Sequence, residues 1–312
     1  MFFKNIKVKI EECLLNKKLE KLLEKSDVIP VDENSRIVFF SDCHRGVGGG
    51  ADDFAHNQLI YIAALDDYFN KGFTYIELGD GDELWENINF ERIKTMYRTI
   101  FEIFAKLHKQ NRLFFIWGNH NRRWKNPKKA RKQFATIVSG ETQKIKPLFS
   151  DFKAHESLVL ALKNDEKKKI LLVHGHQGEL INDTFWWFGR CFVRNFWKVM
   201  QAVFGMPDPT RPAFNYFKQR ISDKKFTDWV EKKGIPIIIG HTHQSVFPPK
   251  GQTPFFNDGS CVHPRCITGI EIENGEIKLI KWFIGRNANN CLCIMKETLA
   301  GTRRIADLYS YG

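Results

Sequence analysis

Apolar residues along this chain fall into short runs that end abruptly in polar side chains. Arg36-Ile37-Val38-Phe39-Phe40 runs into Ser41-Asp42-Cys43-His44, and Phe73-Thr74-Tyr75-Ile76-Glu77-Leu78 runs into Gly79-Asp80. Leu113-Phe114-Phe115-Ile116-Trp117 leads to Gly118-Asn119-His120, and Ile170-Leu171-Leu172-Val173 to His174-Gly175-His176. Ile235-Pro236-Ile237-Ile238-Ile239 leads to Gly240-His241-Thr242-His243. Each run is short, β-branched or aromatic, and largely without polar alternation, which predicts strands buried on both faces. Helical spacing between them predicts helices over 53–70, 90–110 and 127–146. Residues 4–25 place Ile6, Ile10, Cys13, Leu14, Leu19, Leu22 and Leu23 at roughly helical spacing, and Pro30 closes this N-terminal helical segment, 1–30. Its mixed Lys and Glu fit a helix packed on the body better than one lying on a membrane.

Strand and helix in alternation predict an α/β fold, in which ligands gather outside the carboxyl ends of the strands. All five polar clusters fall at such ends. The alternation breaks at 180–232, where Phe185, Phe188, Phe192, Phe196 and Val199 keep helical spacing, with Trp186, Trp187, Val193 and Trp197 off that stripe. Arg190, Arg194 and Lys198 are interleaved, and Gly205, Pro207, Pro209 and Pro212 then break the pattern. This segment reads as a helical insertion, a lid or an interface, within a main domain of 31–290. Residues 291–312 read as a C-terminal tail.

Composition narrows the picture. The chain has 312 residues, 43% hydrophobic and 27% charged, which excludes a disordered, collagenous or disulfide-scaffold protein. A net charge of +12 favours anionic ligands: phosphates, nucleic acid or anionic lipid. The 7 Cys are scattered, without a CxxC pair, as reduced thiols of a cytoplasmic protein would be. No apolar stretch is long enough to span a membrane, and the N-terminus lacks the features of a secretory signal.

The strand ends carry the chemistry. Asp42, His44, Asp80, Asn119, His174, His241 and His243 provide carboxylate, amide and imidazole donors, enough for two metal ions sharing one ligand. Mixed oxygen and nitrogen donors suit Mn, Fe, Zn or Co better than Ca or Mg alone. Two such ions clamp and activate water for attack at phosphorus.

The ordered set Asp-x-His, Gly-Asp, Gly-Asn-His, His and Gly-His-x-His resembles the calcineurin-like metallophosphoesterases. Phe256-Asn257-Asp258-Gly259-Ser260, followed by β-like residues 267–283, is similar to the segment after the last family motif. The resemblance implies an αββα sandwich of two mixed sheets. It implies that Asp42, His44, Asp80 and His243 hold one metal, and Asp80, Asn119, His174 and His241 the other. It assigns His120 to protonating or stabilising the leaving oxygen. Two positions depart from the family pattern. Glu83 stands where Gly-Asp-x-x-Asp often ends, which leaves that supporting role open. Asn121 stands where an acid that can orient the histidine often follows Gly-Asn-His, which leaves the group that orients His120 open. The Asp-Arg-Gly extension of serine/threonine phosphatases is absent. In architecture the chain is similar to UDP-diacylglucosamine pyrophosphate hydrolases, which carry a lipid-accommodating insertion where 180–232 lies.

Arg45, Arg122 and Arg123 directly follow ligand motifs, where Arg can clamp phosphate. With Asn57 and His176 they form the candidate substrate contacts. The expected activity is hydrolysis of a phosphodiester, pyrophosphate or phosphomonoester by metal-activated water. The substrate is a phosphorylated small molecule, a nucleotide or a lipid-linked phosphate, the last held by Trp186, Trp187, Phe188 and Trp197. Three alternatives stand beside it: a nuclease on single-stranded nucleic acid, a serine/threonine-type protein phosphatase, and a non-catalytic metal-bound scaffold that binds RNA or a membrane surface.

Overall fold

The computed structural model describes residues 2–140, 142–177, 179 and 216–310. The runs read as strands are strands: β2 (Ile37–Phe40), β3 (Thr74–Glu77), β4 (Leu113–Ile116), β9 (Asp165–Val173) and β10 (Ile237–Ile239). Around them lie β1 (Asp27–Val31), β7 (Ala154–His155), β8 (Ser157–Leu162), β11 (Phe255–Asn257), β12 (Cys266–Glu273), β13 (Glu276–Arg286) and β14 (Leu292–Arg304). They form two sheets. One has the order β14-β13-β12-β2-β3-β4-β7 and the other β1-β8-β9-β10-β11. Both mix parallel and antiparallel pairs: β2, β3 and β4 run parallel, as do β9 and β10, while β12 pairs antiparallel with β13 and β8 with β9.

The pleat explains why the runs are apolar throughout. Successive side chains point to opposite faces of a sheet. Ile37, Phe39, Ile76, Leu158, Leu160, Leu172 and Ile238 meet in a core between the two sheets. Val38, Phe40 and Phe115 face the other way, onto α2 (Gln58–Asn70) and α4 (Arg98–Lys109) through Ala64, Leu65, Ile100 and Phe104. Val159, Leu171, Val173, Ile237 and Ile239 face α1 (Phe2–Lys25) and α6 (Tyr216–Lys233), meeting Leu15, Leu19, Leu22, Phe226 and Trp229. Helix, sheet, sheet, helix: the fold is the expected αββα sandwich.

Four local readings change. The N-terminal helix ends at Lys25, and Pro30 lies in β1 at a sheet edge, where a missing N–H is tolerated. The buried stripe of α1 is Leu15, Leu19 and Leu22, whereas Ile10 and Leu14 are exposed. The helix expected over 90–110 is two helices, α3 (Phe90–Met96) and α4, separated at Tyr97. The helix expected over 127–146 stops as α5 (Pro127–Phe134), because Thr136-Ile137-Val138 pairs with Ile145–Pro147 as the hairpin β5–β6. Phe134 turns inward there and stacks on Phe152 at 3.9 Å.

The expected tail is also part of the body. Leu292–Arg304 pairs along its length with β13, and Ile305 and Leu308 beyond it are buried in the core between the sheets. Of the insertion expected over 180–232, the described part begins with α6 at Tyr216. Residues 180–215, including Trp186, Trp187, Phe188 and Trp197, lie outside the described residues. No helix among the described residues is long and apolar enough to cross a membrane.

Candidate metal centre

The parallel strands β2 and β3 stay paired beyond their ends. Asp42 N–H donates to the Gly79 carbonyl at 3.1 Å, His44 N–H to Asp80 at 2.8 Å and Arg45 N–H to Gly81 at 2.9 Å. This second ladder lays the Asp42–His44 turn against the Asp80–Glu83 turn. Asp42, His44, Asp80, His241 and His243 all have positive φ, from 48° to 71°. Non-glycine residues rarely adopt that conformation, and it concentrates at functional sites. Two motif glycines serve close approach. A Cβ on Gly118 would meet Asp80 Oδ1 at 2.2 Å, and one on Gly240 would meet Ser41 Oγ at 2.2 Å.

Asp42, His44 and His243 converge on one point. His44 Nε2 and His243 Nε2 stand 3.3 Å apart, and Asp42 Oδ1 is 3.6 and 3.1 Å from them. Bonds of about 2.1 Å to a tetrahedral ion separate neighbouring ligand atoms by about 3.4 Å. Asp42 Oδ1 is buried and accepts no hydrogen bond, because Oδ2 takes the others: Ser41 Oγ at 2.5 Å and the His241 N–H at 2.7 Å. Ser41 Oγ also lies 2.6 Å from Asp258 Oδ1. One hydroxyl proton cannot serve two carboxylates. Burial pushes Asp258 well above the usual carboxyl range, so it competes weakly with Asp42 for that proton.

Asp80, His174 and His241 form a second cluster. His174 Nε2 is 3.0 Å from Asp80 Oδ2, while its Nδ1 donates to the Leu78 carbonyl at 2.8 Å, which leaves Nε2 the free lone pair. The buried Asn119 Oδ1 and His174 Nε2 have no hydrogen-bond partner. Glu179 Oε1 lies 3.3 Å from His241 Nε2. Asn257 pins the last motif from behind, donating to the Gly240 carbonyl and to Thr242 Oγ1, both at 2.9 Å.

The electrostatics match a cation site. Burial raises the pKa of Asp42 and Asp80, but the facing imidazoles outweigh it and hold both below the carboxyl range. Burial opposes protonation of His174, yet Asp80 and Asp42 lift it to about 9. Without a cation, protons on the imidazoles balance the carboxylates. Orphaned buried ligand atoms, their mutual spacing and carboxylates held ionised beside imidazoles all fit divalent ions.

His120 sits at the edge of the first cluster. Its Nδ1 is 2.6 Å from Glu83 Oε2, which also lies 2.9 Å from His44 Nδ1. Burial alone would raise Glu83, but His120 and then His44 hold it down to about 2. An ionised Glu83 therefore accepts from both rings and leaves each Nε2 outward. Asn121 supports the loop from within, its Oδ1 accepting from the Gly118 N–H at 2.6 Å.

The candidate substrate contacts are placed differently. Arg45 is fully buried, gripping Glu77 at 2.7 and 3.0 Å and Asp82 at 3.0 Å, so it braces the strand ends. Asn57 is fully buried as well, donating to the carbonyls of Cys261, His263 and Cys266. The sequence points each toward the substrate; here each side chain is buried and bonded to groups of the body. His176 is buried with both ring nitrogens unpartnered, its ring 5.5 Å from His174 and 5.5 Å from Trp117. Arg122 is half-buried over Trp117, and Arg123 is exposed, donating to the Ile88 carbonyl at 3.0 Å. Ser41, Trp85, Asn257 and Asp258 support the centre and carry no ligand signature of their own. Only the ordered Asn-Asp-Gly segment points toward two of them.

The model of the calcineurin-like phosphoesterase family matches residues 35–245, about two-thirds of the chain, a range that holds all five strand-end clusters. The chain belongs to this family. Among solved structures it is similar to Vps29 of Chaetomium thermophilum, at 9% identity and a TM-score of 0.36, over 86% of this chain and 97% of that one. The same Vps29 in complex with a cyclic peptide gives 8% identity and a TM-score of 0.34 over the same shares. No curated protein gives a significant match.

Proposed function

We propose that this member of the family hydrolyses a phosphodiester or pyrophosphate bond, using two divalent ions, with Mn, Fe and Zn suited to the donors. The observation that carries the reading is the set of orphaned donors, Asp42 Oδ1, Asn119 Oδ1 and His174 Nε2, buried beside imidazoles that face one another. Asp42, His44 and His243 would hold one ion, and Asn119, His174 and His241 the other, with Asp80 shared between them. When bound, the ions supply an activated water and neutralise charge at phosphorus.

The chain's own residues do the rest. Glu83 fixes the Nδ1–H tautomer of His44, so that Nε2 is the ligand atom. The same carboxylate orients His120, whose Nε2 holds a proton for the leaving oxygen. Arg122 and Arg123 are the cations near this loop for substrate phosphate. The net charge of +12 favours a substrate with more than one anionic group. The insertion 180–232 keeps lipid-linked pyrophosphates among those to assay.

The test is hydrolysis of a chromogenic phosphodiester and its monoester by the Mn-loaded protein, with His120→Ala beside it. Turnover that favours the diester and collapses in the variant supports the reading. Turnover of neither substrate, with fewer than one ion bound per chain, overturns it.

A further inference from the structure

The turn after Asp80 carries a tryptophan in an unusual place. The indole of Trp85 lies flat on the imidazole of His120, with ring centroids 4.1 Å apart and planes 17° from parallel. Its Nε1–H donates to the carbonyl of Asn119 at 2.7 Å. Its own backbone N–H donates to Glu83 Oε1 at 3.0 Å. The side chain is nearly buried, at 6% exposure. One residue therefore touches the peptide that joins Asn119 to His120, the face of the His120 ring, and the carboxylate that grips the ring's edge.

These contacts restrain different motions. The Glu83 bond at 2.6 Å meets the His120 ring at Nδ1 and sets which way round the ring faces. A single hydrogen bond is a pivot, and the ring plane can still swing about it. Trp85 closes that freedom by covering one face. His44 meets His120 edge to face, with centroids 4.6 Å apart and planes at 86°. The bond to the Asn119 carbonyl tethers the backbone just ahead of the His120 ring.

We propose that Trp85 is the positioning residue for His120, fixing the plane in which the ring meets the leaving oxygen. This rests on the reading of His120 as proton donor. Trp85 touches no reacting atom and acts through the histidine. Misplacing a proton donor matters most when the leaving group is a poor one, because such a group needs the proton in the transition state.

The experiment compares Trp85→Leu and Trp85→Phe in the full chain. Phe keeps a stacking face and loses the N–H, whereas Leu loses both. With Mn-loaded protein, Trp85→Leu is expected to lower kcat on an alkyl phosphodiester by about 10–100-fold, a loss of the size found for groups that orient a reacting residue. KM and the amount of metal bound stay near wild type, and a p-nitrophenyl diester is turned over almost normally. Trp85→Phe recovers most of the loss, and Trp85→Leu adds nothing in a His120→Ala background. Equal losses on both leaving groups, or additive losses in the double variant, overturn the proposal.

A second readout needs neither metal nor turnover. The hydrogen-bonded Nδ1 proton of His120, assigned by its absence in His120→Ala, should appear in proton NMR of the wild type and Trp85→Phe. It should exchange away in Trp85→Leu. A proton signal unchanged in Trp85→Leu refutes the clamp, whatever the assays show. A wild type that hydrolyses nothing and binds fewer than one ion per chain, while this signal follows the expected pattern, refutes the phosphoesterase reading and leaves the clamp standing.

Discussion

Glu83 reaches His120 across the end of β3, with 2.6 Å between Oε2 and Nδ1. The same oxygen takes Nδ1 of His44, and the other oxygen takes the backbone N–H groups of Trp85 and Glu86. All four of these partners are donors. The acid that orients His120 thus comes from the second motif, in place of the residue after the histidine.

Because those partners donate, Glu83→Gln must turn its amide N–H₂ against donors on one side or the other. We expect kcat/KM to fall by about 10–100-fold, with weaker metal binding through His44. Steady-state kinetics with metal analysis checks this. Wild-type kinetics in the variant would remove Glu83 from the mechanism.

Asp80 is the ligand both ions would share. Apoprotein titrated with Mn should gain thermal stability, because a ligand bound only by the folded state adds about 2.7 kcal/mol at roughly a hundred times its Kd. Asp80→Ala should lose most of that gain and bind at most one ion per chain. Elemental analysis and melting curves measure both, and two ions retained in the variant would contradict the shared role.

Arg45 supports the fold and should behave so. Arg45→Met leaves Glu77 and Asp82 buried without their cation, and breaking a buried pair from one side costs about 3–5 kcal/mol. Urea denaturation should show that loss. An Arg45→Met protein of normal stability with a raised KM would restore the substrate-contact role.

Acid sensitivity should trace in part to His155. Burial, then the nearby Lys153, hold its pKa at about 4 against the pull of Asp27, compared with 6.5 unperturbed. A folded pKa below the unfolded one means the contribution is complete above pH 6.5 and is lost as pH falls toward about 4. His155→Gln should therefore lose less stability than wild type across that window, measured by urea midpoints. Parallel curves for the two proteins would exclude His155 as a source.

The layers and the ligand-bearing strand ends are legible in the chain because they follow local rules. A run buried on both faces is apolar at every position, and Val38 and Phe39 must be so because one faces helices and the other the opposite sheet. The glycines before Asn119 and His241 are legible too, since no side chain fits against Asp80 or Ser41 there. Tertiary structure alone decided the rest. Arg45 follows a ligand just as Arg122 follows the His120 motif, yet the pleat beyond β2 turns Arg45 inward onto Glu77 and Asp82. Trp85 looks like an ordinary turn residue, and the group Glu83 serves stays open, until the pairing of β3 with its neighbours sets that turn against His120. The stretch 291–312 looks like a tail because β14 is exposed along much of its length, and only its register on β13 makes it a strand. Spacing along the chain names the donors. Which of them face one another depends on contacts far apart in sequence, and those exist only once the two sheets have packed.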